Sequence, residues 1–131
     1  MFEKKLFLPG FFLPTTSDPI LGRSFQLSIY LWTSDHSVWD GVISDPFDFT
    51  PTSLDEIWVE ETRIRFIQKM CRGGGERVAH SLSLSVDRFS LVETFSGRFL
   101  FDRGYSGNVA GLCFRNLPDN FFKLARQLAP S

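Results

Sequence analysis

The sequence predicts an α+β domain that is mostly β: an antiparallel curved sheet, or a small barrel or sandwich, with a C-terminal helix packed on it. Three observations carry this expectation. Apolar and polar residues alternate over residues 25–33 and 78–86, and a period of two marks a strand with one buried face. Strand signals of this kind recur about every 10 to 15 residues, punctuated by Gly, Pro, Ser and Asp. Near the end, Asp119 precedes a stretch in which Phe121, Phe122, Leu124, Ala125 and Leu128 share one broad face, with Lys123, Arg126 and Gln127 outside it. That is the pattern of a capped amphipathic helix over about 119–129, and Pro130 should stop it.

Taken in order, residues 1–23 mix apolar pieces with Pro9, Gly10, Pro14, Pro19 and Gly22. They read as an extended N-terminal arm with one short strand at most, lying on the surface. Residues 24–131 read as a single β-rich domain. In it Phe25, Leu27, Ile29 and Leu31 face one way and Gln26, Ser28, Tyr30 and Trp32 the other. A polar turn at Thr33–Ser37 leads to a second strand over Val38–Ser44, paired back as a hairpin, and Pro46 and Pro51 make the next segment a loop. From Leu54 to Cys71 two periods conflict. Ser53 followed by Asp55 and Glu56 resembles a helix start, whereas Ile64, Phe66 and Met70 against Arg63, Arg65 and Lys69 suit a strand. The expectation is a short helix over Leu54 to about Glu60 and then a strand over Arg63–Met70. Gly73–Gly75 forms a turn before the clear alternation of Val78, His80, Leu82, Leu84 and Val86. Short strands over Phe89–Phe95 and Arg98–Phe101 follow, with Ser96-Gly97 as the turn between them, then a loop at Gly104–Gly107 and a buried strand over Val109–Phe114. The outline is similar to that of pleckstrin-homology-like barrels in strand count and terminal helix; no motif is shared, and the likeness implies no site residue.

Composition narrows the classes. A chain of 131 residues, 43% hydrophobic and 15% aromatic, fits one domain and buries roughly two-thirds of its unfolded surface. No apolar run approaches the roughly 18 residues of a membrane-spanning helix. Lys4 and Lys5 before the run Leu6–Leu13 loosely mimic a signal peptide, but Pro9, Gly10 and Pro14 interrupt that run. Cys71 and Cys113 form no disulfide framework and no C-x-x-C, so an intracellular, cytoplasmic or nuclear setting is expected.

Charge is distributed unevenly. Residues 1–62 carry ten acidic against three basic side chains, net −7, while residues 63–131 carry eleven basic against five acidic, net +6. Either the halves interleave and neutralise each other across strands, or the molecule has an anion-seeking face and associates with itself through head-to-tail or two-fold contacts.

Nothing in the motifs points to catalysis. There is no G-x-S-x-G elbow, no H-E-x-x-H and no Cys-His signature. His80 shares a face with Leu82 and Leu84 and reads as a hydrogen-bonded core or edge histidine; His36 sits in a polar turn. The acidic pairs Asp55-Glu56 and Glu60-Glu61 match no metal-binding loop, and Glu76 after the three glycines rules out a P-loop. No cofactor or metal is expected.

Two surfaces are therefore the candidates. Fifteen phenylalanines are either filler for a small β core or, in part, an exposed patch. On the second reading the domain is a non-enzymatic protein-interaction or assembly module that meets a protein partner or its own copy. Its contacts would be Phe11, Phe12, Trp32, Trp39, Phe47 and Phe49. The alternative is RNA, single-stranded DNA or another polyanion, bound by Arg63, Arg65, Phe66, Lys69, Arg72 and Arg77. Residues two and four apart on one strand lie about 7 to 13 Å apart, a spacing suited to tracking phosphates.

Overall fold

A computed structural model describes residues 4–13, 25–33, 38–44, 52–69, 77–102 and 106–116. Nine strands follow in chain order: β1 (Lys5–Leu13), β2 (Phe25–Thr33), β3 (Trp39–Ser44), β4 (Thr52–Val59), β5 (Arg63–Lys69), β6 (Arg77–Val86), β7 (Glu93–Phe101), β8 (Ser106–Leu112) and the two-residue β9 (Phe114–Arg115). Consecutive strands from β1 to β8 pair antiparallel, and β1 also pairs with β8. The result is a closed eight-stranded antiparallel barrel, with β9 continuing the β8 edge along β1 past Cys113.

Closure removes the open sheet edges that would otherwise seek partners. It also corrects the expected fold class. The small single β-rich domain stands, but the described residues are all β and contain no helix. The helix expected over 119–129 lies outside the described residues. The likeness to pleckstrin-homology-like barrels falls with closure into eight next-neighbour strands.

Alternation dictates what fills the barrel. Leu6, Leu8 and Phe12 of β1, Leu27, Ile29 and Leu31 of β2, Ile43 of β3 and Leu54 of β4 point inward. They meet Ile64 and Phe66 of β5, Val78, Leu82 and Leu84 of β6, Phe95 and Phe99 of β7, and Val109 of β8. Each fully buried side chain of this size contributes about 1.5–3 kcal/mol. On β6 the opposite face is Ala79, Ser81, Ser83 and Ser85, all exposed. On this strand the apolar side faces inward and the polar side outward. On the outer side of β1–β3, however, Trp32 and Val42 are buried, with Phe7 and Tyr30 packed against them. Phe7 lies 5.0 Å from Tyr30 and 6.1 Å from Phe114, between ring centroids.

Three elements depart from expectation for identifiable reasons. Residues 54–59 belong to β4, not to a helix. A bulge between Asp55 and Trp58, with Glu56 in the left-handed region at φ 51°, shifts the alternation by one residue and so hides the strand period. Ser96 and Gly97 do not turn the chain; they lie inside β7. A Cβ on Gly97 would stand 2.0 Å from the Ser81 carbonyl oxygen of β6, so the glycine serves close strand approach. Finally, Lys5–Leu13, within the stretch expected to be an arm, form a strand bonded on both sides despite Pro9. The β1 ladder to β8 covers Gly10–Leu13 and that to β9 covers Leu6–Phe7. Pro9 falls in the gap between them, where a missing N–H breaks no pairing.

Candidate functional site

The next-neighbour topology decides where the charges go. Residues 1–62 supply β1–β4 and residues 63–131 supply β5–β9; the described part of the first half carries five acidic against two basic side chains, and its acids on β4 and the β4–β5 turn border the basic strands, where Glu56 pairs with Arg77. Among the described residues the β5–β9 side carries seven basic against three acidic side chains.

The outer face of β5–β7 concentrates this charge. Arg63, Arg65 and Lys69 of β5, Arg77 of β6 and Arg98 of β7 are all exposed, because each alternates with an inward apolar or core residue. Register then brings together residues distant in sequence. Arg65 pairs with Ser81, Ser81 with Arg98, and Arg98 with Asn108, in one row across four strands. One step along, Arg63 pairs with Ser83 and Ser83 with Ser96. Adjacent strands lie about 4.8 Å apart, so the Arg65 and Arg98 backbones stand roughly 10 Å apart with the Ser81 hydroxyl between them. On the other side of the Arg65–Ser81–Arg98 row, toward the paired Ile67, Ala79 and Leu100, lies a groove of about 510 Å³. Ala79 and Ser81 form its low floor, Arg65 and Ile67 one wall, Arg98 and Leu100 the other, with Glu56 and Ser106 at its ends.

The cations differ in what surrounds them. Arg77 Nη2 donates to Glu56 Oε2 at 3.1 Å, an exposed ion pair that offsets part of its charge, and the Arg77 backbone N–H donates to Asp102 Oδ2 at 3.2 Å. The Arg65 guanidinium lies 5.1 Å from the centre of the Trp58 ring, a cation–π contact that orients the group while leaving its N–H donors free. Arg98 has no ion-pair partner among the described residues. Two guanidiniums facing each other over a serine floor suit a tetrahedral oxyanion, which accepts charge-assisted hydrogen bonds from both sides.

Of the basic residues singled out in the sequence, Arg63, Arg65, Lys69 and Arg77 share this face. Phe66 does not: it points into the barrel at 1% exposure and stacks on His80 at 4.7 Å, so it offers no surface to a base. Arg72 lies outside the described residues. Arg98, Ser81 and Trp58 were missed. The signal for Arg98 was its place on the polar face of the Arg98–Phe101 alternation, but its proximity to Arg65 depends on strand register that composition does not encode.

The aromatic candidates are dispersed. Phe12 is in the core, Trp39 packs partly against it and Trp32 is buried on the outer side of β2. Phe11, 51% exposed, remains at the surface. Phe47 and Phe49 lie outside the described residues.

Inside the barrel, His80 Nε2–H donates to Gln68 Oε1 at 3.0 Å, and His80 Nδ1 is buried without a partner. Burial depresses the His80 pKa to about 3, so the ring is neutral at physiological pH. Cys113 is buried, and burial together with the nearby Glu93 pushes its thiol up to about 12. Iodoacetamide at neutral pH should leave Cys113 unmodified in the folded barrel and alkylate it in denaturant, as peptide mass mapping would show; equal rates in both states would contradict the burial. Among the described residues no three His, Cys, Asp or Glu side chains gather to hold a metal.

No protein-family model, curated protein or solved structure matches the chain.

Proposed function

We propose that the protein is a non-enzymatic binding barrel whose outer β5–β7 face takes a phosphate-bearing polyanion, with single-stranded RNA or DNA as the favoured class. The observation that supports this most is the Arg65–Ser81–Arg98 row flanked by Arg63. The excess of seven basic over three acidic described side chains on β5–β9, in a chain with net charge −1, adds long-range attraction to that side. Binding of this kind is electrostatic and releases counterions. Fluorescence anisotropy with single-stranded oligonucleotides should therefore show binding near 50 mM salt, with log K falling against log salt at a slope of roughly −2 if about three phosphates are contacted. The double variant Arg65→Ala/Arg98→Ala should weaken binding at least about tenfold. Arg77→Ala, which removes a cation already paired with Glu56, should change it little. Absence of binding near 50 mM salt, or identical affinity in the double variant, would refute the assignment.

A second reading, contact with a protein partner or a second copy, has the exposed pair Phe11 and Leu13 on the outer face of β1 in its favour. Light scattering of the protein and of Phe11→Ser tests self-association through that pair.

A further inference from the structure

The connection between β6 and β7 is the most apolar exposed feature of the described residues. Phe89 is 99% and Leu91 77% exposed, with Val86 and Val92 half-exposed on either side. Neither Phe89 nor Leu91 contributes appreciably to the barrel core, since the rest of the barrel hardly touches them.

The loop is nevertheless tightly built. The Asp87 N–H donates to the Val92 carbonyl at 3.0 Å, and the Leu91 N–H donates to the Asp87 carbonyl at 2.9 Å. Asp87 Oδ1 accepts from the N–H groups of Phe89 at 2.7 Å and Ser90 at 3.0 Å. Ser90 Oγ accepts from the Val92 N–H at 3.3 Å. Five of the six backbone N–H groups from Asp87 to Val92 are thus satisfied within the loop itself. Water would satisfy them at no structural cost, whereas a medium without hydrogen-bond acceptors makes internal satisfaction obligatory.

Leu91 sharpens the point. It sits in the left-handed region at φ 59°, where glycine is favoured and a leucine side chain is strained. Neither backbone geometry nor solvent exposure gives the fold a reason for leucine there. Two exposed apolar side chains at one hairpin tip offer far less than the roughly 1,200 Å² that a specific protein interface buries, and suit a soft medium that closes around them. Glu60 and Glu61 in the turn between β4 and β5 lie at the same end of the barrel together with Lys4, Lys5, Arg63 and Arg115, so this end carries mixed charge and apolar insertion is the main driving force.

We propose that the Asp87–Val92 loop docks the barrel on a lipid bilayer, inserting Phe89 and Leu91 below the headgroups while the strands stay outside. Arg88, between Asp87 and Phe89, reaches the phosphate level as its neighbour enters. This docking does not depend on the polyanion face and uses different residues.

Cosedimentation of the full chain with phosphatidylcholine vesicles, with and without phosphatidylserine, tests it. Binding to both vesicle types with weak salt dependence is expected. Phe89→Ser and Leu91→Gly should each lower the partition coefficient roughly tenfold. Leu91→Gly should at the same time hold or raise the thermal midpoint, because it relieves the left-handed strain, so lost binding there is not lost folding. Failure to bind either vesicle type, or equal partition of wild type and both variants, would overturn the proposal. So would binding confined to phosphatidylserine vesicles and abolished by Arg65→Ala/Arg98→Ala, which would return the interaction to the basic face. Dimerisation lost in Phe89→Ser without vesicle binding would assign the tip to a second copy instead.

Discussion

Gly111→Val is expected to unfold the barrel along the seam between β1 and β8, with a loss of at least about 3 kcal/mol. Gly10 and Gly111 are directly paired across that seam. A Cβ on Gly111 would lie 2.1 Å from the Pro9 carbonyl oxygen, 2.6 Å from Gly10 Cα and 2.7 Å from Phe95 Cε1. A Cβ on Gly10 would meet the Ala110 carbonyl oxygen at 2.3 Å and the same Phe95 ring at 2.8 Å. Two backbones and one ring therefore occupy the space that a side chain needs, and none of them is a flexible end that could swing aside. The Phe95 ring covers the glycine pair, so the pair buries area through its neighbour's ring. Urea denaturation compares Gly111→Val with Ser96→Val, a control on the exposed face of β7. The glycine variant should lose most of its stability and the control should stay within about 0.5 kcal/mol of wild type. A free β1 or β8 edge should also make the glycine variant associate. A Gly111→Val barrel as stable as wild type would mean that the seam is looser than described.

The second large effect is acid destabilisation through His80. Its folded value of about 3 lies below the ordinary 6.5 expected in the unfolded chain, and burial is the cause. Below about pH 6.5 the unfolded chain takes up a proton that the folded barrel refuses. Stability from this group is thus full above pH 6.5, falls as pH drops below it, and the loss levels off near pH 3. The total is on the order of 5 kcal/mol, comparable with the whole stability of many small domains. The Gln68 bond does not offset this, because Oε1 already accepts from the neutral ring. Replacing both partners with leucine removes the titrating group and the polar atom that depends on it. The double variant Gln68→Leu/His80→Leu should therefore show a flat stability profile from pH 7 to about pH 5, where wild type declines. A parallel decline in the two proteins would place the acid sensitivity elsewhere.

Legibility in the sequence followed how local each signal is. β2 and β6 were readable because their alternation is unbroken, and His80 was placed in the core by the company of Leu82 and Leu84 on the same face. β4 was not, because its bulge breaks the period where Asp55 and Glu56 imitate a helix start. Gly97 looks like a turn residue until one knows that Ser81 O of the adjacent strand presses on it. The basic face was half visible. Arg63, Arg65 and Lys69 announce themselves along one strand, whereas Arg98 joins them through two strand pairings. Phe66 was assigned to the wrong side because adjacency in sequence to Arg65 means opposition in space on a strand. The sequence pattern places Phe89 and Leu91 in a strand, because nothing in composition distinguishes an apolar strand from an apolar hairpin tip.

The seam has a consequence for synthesis. Apart from the β1 pairings with β8 and β9, every pairing in the barrel joins strands consecutive in sequence, and the pair Gly10 and Gly111 spans about a hundred residues. During translation, which proceeds from the N-terminus at roughly 5–20 residues per second, β1 is finished first and its second partner is among the last strands made. For several seconds the nascent chain carries the run from Leu6 to Leu13, almost wholly apolar, with one edge open. Pro9 stands in the middle of that run, where it blocks the continuous donor row another chain would need in order to add a strand. The residue that interrupts the finished ladder thereby also protects the growing chain until β8 arrives.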